Sequence, residues 1–133
     1  MSIKNILTNN KIIAVVGFSD NQHRPSNRIA RYMQGNGYKV FGVNPRLGGK
    51  TVDEIKCFAT LKDLPEKVDV INVFRRSEYV EGLINEISEL DYKPKVIWTQ
   101  IGVIDGDSKN KAVKMGCEYV ENKCIMVEHM NIF

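Results

Sequence analysis

The feature that most constrains this chain is the run over residues 11–45, KIIAVVGFSDNQHRPSNRIARYMQGNGYKVFGVNP. An apolar stretch, Ile12 to Val16, is stopped by Gly17 and reads as a buried strand followed by a tight turn. A polar loop carrying Ser19, Arg24 and Ser26 leads into a helical pattern over residues 27–36, with Ile29, Ala30 and Met33 on one face. Gly37 ends that helix and residues 38–43 form a second strand. Backbone N–H groups at a helix N-terminus, beside a flexible glycine and an arginine, favour a phosphate. The unit therefore points to a nucleotide-like ligand.

The rest of the chain repeats the alternation. A short helix is expected over residues 2–7, a third strand over 68–74, and a helix capped by Ser77 and running to Leu90. A fourth strand follows over 95–99, then a helix over 108–115 capped by Asp107, a fifth strand over 118–120 and a closing helix in residues 123–133. Residues 45–65 are the least regular part, with one short extended piece near Cys57 and a helical turn near residues 61–64. Strands alternating with helices imply a doubly wound parallel sheet with right-handed crossovers. The expectation is a Rossmann-like α/β fold with five strands in the order 3-2-1-4-5, a single domain spanning residues 1–133. Its ligand crevice is then expected beyond the carboxyl ends of strands one and four.

Composition narrows the function classes. The 19 Lys and Arg outnumber the 16 Asp and Glu, but they are spread along the chain, so the excess suits a small anion better than nucleic acid. No apolar run approaches a membrane span, and the N-terminus lacks the apolar core of a signal peptide. Cys57, Cys117 and Cys124 are far apart and form no CxxC pair, which fits reduced thiols and a cytoplasmic setting. No His, Cys and Asp cluster has metal-ligand spacing.

Several look-alike motifs fail. A dinucleotide fingerprint needs G-x-G-x-x-G after strand one and an acid after strand two. Here Gly17 stands without the other glycines, and Asn44-Pro45-Arg46 replaces the acid, although Arg46 could answer a ribose phosphate. The segment from Asn44 to Thr51 resembles a P-loop but lacks its first glycine and follows the wrong strand. Gly17-Phe18-Ser19 half-matches a nucleophile elbow without its second glycine. The alternative to a ligand role for the Gly17 turn is a structural turn with solvated polar residues. Arg75 and Arg76 follow strand three at the ligand end of the sheet, with Arg75 the better placed for an anion. Gln100 and Gly102 lie where backbone must approach a ligand closely, and Trp98 reads as core.

VVGFS at 15–19, RPS at 24–26, VNP at 43–45, DVINVFRR at 69–76, IWTQIG at 97–102, and Cys124 with Glu128 occur in order over about residues 11–130. In this the chain resembles single-domain members of the CoA-binding protein family, similar to the CoA-binding domain of succinyl-CoA synthetase alpha subunits and NDP-forming acyl-CoA synthetases. The resemblance implies a Rossmann-like fold holding coenzyme A or an acyl-CoA. The turn of Gly17, Phe18 and Ser19, with Arg24 and Ser26, would hold the diphosphate. Asn44, Pro45 and Arg46 would lie near the adenosine and its 3′-phosphate, and Phe74 and Arg75 would flank the adenine or pantetheine. Gln100 and Gly102 complete the expected site, with Cys124 a possible thiol contact. The synthetases' phosphohistidine domain and partner have no counterpart here, so binding without a complete catalytic apparatus is expected. The alternatives are an NAD(P)- or other nucleotide-dependent enzyme that completes its site with a partner, and an interaction module whose fold holds no ligand.

Overall fold

The computed structural model describes residues 2–133. A short helix, α1 (Ile3–Asn9), is capped by the Ser2 hydroxyl, which accepts from Asn5 N–H. It is followed by β1 (Ile12–Val16), α2 (Pro25–Gly35) and β2 (Lys39–Val43). Next come β3 (Thr51–Val52), β4 (Ile55–Phe58), β5 (Val70–Val73), α3 (Val80–Ser88), β6 (Val96–Thr99), α4 (Gly106–Lys114), β7 (Glu118–Val120) and α5 (Ile125–Ile132). Single 3-10 turns occupy Pro45–Leu47, Leu61–Asp63 and Ser77–Tyr79.

The strands form one Rossmann-like sheet in the order β3-β4-β2-β1-β5-β6-β7, parallel except for β3, which runs antiparallel to β4. This corrects the five-strand order 3-2-1-4-5. The strand expected third, β5, pairs with β1 and not with β2. The place beside β2 is taken by β4, from the segment that looked least regular, with Gly42 opposite Cys57. Four residues carry β4, and Lys56 interrupts its apolar pattern, so little periodicity marks it. The crevice also moves. The order in which strands are added to the sheet reverses between β1 and β5, and β6 lies one strand further out.

Successive side chains leave a strand on opposite faces, so two cores form. Ile13, Val15, Val70, Val96 and Trp98 pack towards α1, α2 and α5, while Ala14, Val16, Ile71, Val73 and Ile97 pack towards α3 and α4. The four central strands are almost continuously buried, as a sheet covered on both faces requires. Tyr38 fastens α1 by donating its hydroxyl to the Leu7 carbonyl at 2.7 Å.

Two expected caps take other roles. Ser77 does not cap α3; its hydroxyl accepts from Ile104 N–H at 2.9 Å and so holds the loop after β6. Asp107 lies inside the first turn of α4, whose N-cap residue is Asp105.

Candidate functional site

The carboxyl ends of β1, β2 and β5 converge on Gly17. Its N–H donates to the Val43 carbonyl at 3.0 Å, and the Phe74 N–H donates to the Val16 carbonyl at 2.9 Å. Gly17 has φ 88°, a left-handed backbone that favours glycine. Above this junction lies an open cleft of about 350 Å³, lined by Gly17, Asn44, Pro45, Phe74, Arg75 and Tyr79 among others. Five of these six residues were singled out from sequence; Tyr79 was not. A larger groove of about 420 Å³ runs between residues 61–67 and 89–92, but its rim mixes Lys62 and Lys67 with Glu66, Glu89 and Asp91.

Phe18 turns away from the cleft. Its ring is fully buried against Gly42, where a Cβ would stand 2.6 Å from ring carbon Cδ2. Only its backbone is available, and its carbonyl accepts from Asn44 Nδ2 at 2.9 Å. The loop then folds on itself. The Ser19 hydroxyl accepts from Asn21 N–H at 3.0 Å, and the Asn21 side chain accepts from His23 N–H at 2.9 Å. Arg24 is the N-cap residue of α2 and offers no side-chain oxygen, while Pro25 at the first helical position has no N–H. The Asn27 and Arg28 N–H groups donate to the Arg24 carbonyl at 3.1 Å, so among the described residues the first-turn donor left without a partner is the N–H of Ser26, a buried residue.

Across the cleft, Asn44 starts a 3-10 turn, its side-chain oxygen accepting from Arg46 N–H at 2.9 Å. The Asn44 amide thereby joins the ends of β1 and β2, and the Arg46 side chain is exposed. Arg24, Arg46 and Arg75 have no ion pair among the described residues, whereas Arg76 lies 3.7 Å from Glu78. Arg24, Arg46 and Arg75 lie on the segments that leave β1, β2 and β5, and a guanidinium is the side chain that pairs bidentately with phosphate.

Gln100, Gly102 and Cys124 lie apart from that cleft, beyond β6 and β7. Gln100 turns inward, its Nε2 donating to the buried Asn72 Oδ1 at 2.9 Å; the Asn72 Nδ2 has no hydrogen-bond partner among the described residues. Gly102, with φ 88°, donates its N–H to Asn122 Oδ1 at 2.7 Å. Trp98 is core, as expected, and its indole N–H donates to the Lys123 carbonyl at 2.8 Å. That bond seats Cys124, half-buried at the N-cap of α5, against the same core. Burial raises the Cys57 and Cys117 thiols above their ordinary value.

The sequence reading missed Asp53, Asn27 and Asn72. Asn27 and Asn72 are fully buried amides inside an otherwise ordinary helix and strand, and Asp53 sits in a two-residue turn lacking the glycine that marks such turns.

Residues 11–130 match the family described as CoA binding domain. The chain belongs to that family. It is 37% identical to the uncharacterized protein YneT of Bacillus subtilis (strain 168), over 96% of this chain and 91% of that protein. The solved structure of cell-free ID.343 from Thermus thermophilus superposes over 100% of both chains with a TM-score of 0.92 and 32% identity. A more distant likeness joins it to an ADP-forming acetate–CoA ligase II of Archaeoglobus fulgidus, 28% identical over 65% of this chain but only 13% of the ligase. Family membership carries a CoA-related binding role in general and agrees with the resemblance read from the motifs. Among the described residues no helix is long and apolar enough to cross a membrane.

Proposed function

We propose that residues 1–133 act as one domain that binds coenzyme A or an acyl-CoA, with no catalytic step assigned to this chain. The diphosphate rests on the turn of Gly17 to Ser19 and the N-terminus of α2, with Arg24 as its cation. Asn44, Pro45 and Arg46 take the adenosine and its 3′-phosphate, and Phe74 with Arg75 closes the other wall. The single observation that supports this most strongly is that Arg24, Arg46 and Arg75, without an ion pair among the described residues, lie on the segments that leave β1, β2 and β5 in a chain of the CoA-binding family. The pantetheine arm then runs along the sheet edge towards Gln100, Gly102 and Cys124. NAD is disfavoured because Asn44 stands where a ribose-reading acid is needed.

Titration calorimetry with CoA, dephospho-CoA and NAD tests the assignment. CoA is expected to bind tightest and dephospho-CoA more weakly, since it lacks the phosphate given to Arg46. Equal or tighter binding of NAD would refute the reading.

A further inference from the structure

Asp53 and Glu54 form the two-residue turn between β3 and β4, with φ of 50° and 67°. A non-glycine residue holds this left-handed backbone when its surroundings over-determine it. Those surroundings belong to the loop between β1 and α2. One Asp53 carboxylate oxygen accepts from Gln22 Nε2 at 2.7 Å, and the other from Asn27 Nδ2 at 3.1 Å. Asn27 is fully buried in the first turn of α2, and its Nδ2 also donates to the Ser19 carbonyl at 2.8 Å. Arg31 completes the net, its Nε donating to Asn27 Oδ1 at 2.7 Å and a terminal nitrogen to the Gln22 carbonyl at 3.1 Å.

Residues 20–25 are all exposed, and their other hydrogen bonds are local or to α2. Among the described residues, Asp53 is the one group of the sheet that hydrogen-bonds the 19–27 segment. It grips both sides of the loop, at Gln22 and at Asn27. Both partners present NH₂ groups, so the gripping residue must offer two acceptors, which a carboxylate does and an amide does not. The hydrogen bonds from Asn27 and from Gln22 hold the Asp53 carboxyl below its usual range, and the Arg31 charge adds to this.

We propose that Asp53 is the positioning residue of the β1–α2 loop, fixing from the sheet edge the path on which Arg24 and the α2 N-terminus meet a ligand phosphate. This rests on the reading of that loop as the phosphate site. A preformed loop presents its donors without ordering entropy to be lost on binding.

Asp53→Asn is the discriminating variant, because asparagine tolerates the left-handed backbone but turns one NH₂ against another. Its test compares amide hydrogen exchange across residues 19–27 in the unliganded protein, and CoA affinity by calorimetry. Faster exchange confined to the loop is expected, with CoA bound on the order of tenfold more weakly, the size of one charge-assisted hydrogen bond. Adding Gln22→Glu to Asp53→Asn restores a donor–acceptor pair and should return both readouts towards wild type. Unchanged loop exchange overturns the proposal, as does faster exchange with unchanged CoA affinity. Should Asp53→Asn not fold, Gln22→Ala removes one of the two bonds without touching the turn, and the same two readouts judge it. If wild-type protein binds no CoA, the site reading fails, and the exchange comparison alone still decides whether Asp53 holds the loop.

Discussion

Gly17 approaches Phe74 so closely that a Cβ on Gly17 would stand 2.2 Å from the Phe74 carbonyl oxygen. The end of β1 is thereby pressed against the end of β5, and the floor of the cleft is backbone. A ligand can approach the main chain closely there because no side chain intervenes. The same contact forbids any other residue.

Gly17→Ala is therefore expected to destabilise the fold. The left-handed backbone alone costs about 1–3 kcal/mol for a non-glycine residue, and the overlap with the Phe74 carbonyl adds to it. Urea unfolding measures the loss. A variant as stable as wild type would show that the strand ends separate easily.

Arg24→Ala should separate binding from stability. The Arg24 side chain is exposed and unpaired among the described residues, while its carbonyl, which accepts from Asn27 and Arg28 N–H at 3.1 Å, survives the change. CoA binding should weaken by about 1.5–3 kcal/mol, the worth of a hydrogen bond to a charged group, and the melting temperature without ligand should barely move. A large stability loss with unchanged affinity would make Arg24 structural.

The three thiols should differ in reactivity. Cys57 and Cys117 are buried and their thiols are pushed up by burial, whereas Cys124 is half-exposed at the start of α5. Native protein treated with CoA disulfide should form a mixed disulfide at Cys124, its thiolate attacking one sulfur and releasing one CoA thiol. Intact mass and peptide mapping read the result. An adduct at Cys57 or Cys117 alone, or none, removes Cys124 from the path of the pantetheine arm.

His129 should make stability depend on pH. It is buried on α5, its Nδ1 lies 2.8 Å from the Tyr32 hydroxyl, and its ring meets Tyr32, Tyr38 and Phe133. A neutral ring accepts the Tyr32 proton at Nδ1, and a protonated one cannot. Burial first, and the Lys11 charge second, lower its pKa from 6.5. Above that value both folded and unfolded chains hold neutral histidine and the stability is complete. As pH falls through it the unfolded chain takes up the proton first, so stability declines. Melting temperatures from pH 8 to 5.5 should fall, and His129→Gln should flatten that slope.

The local elements were legible because local physics makes them. The run Ile12 to Val16 stopped by Gly17, the face of Ile29, Ala30 and Met33, and the strands 70–73 and 96–99 carry their patterns in consecutive residues, and each appears near its expected place. So do the residues at the strand ends, since a parallel sheet puts all of its carboxyl ends on one edge. Asn44, Pro45, Phe74 and Arg75 meet there as a result. Phe18 shows the limit of that logic: its position on the edge was readable, but the direction of its ring was set by the space above Gly42.

The sequence by itself determined the alternation of strands and helices, the Gly17 turn and the row of arginines beyond the strands. Only the tertiary structure decided strand order, because pairing joins residues distant in the chain and leaves little mark on either partner. It placed β4 beside β2 and moved β5 next to β1. It also carried Asp53 across 26 positions to Asn27 and 31 to Gln22. A carboxylate in a polar turn looks solvated when read along the chain. What makes it a clamp is the pair of amide donors that the packing of α2 on the sheet presents to it.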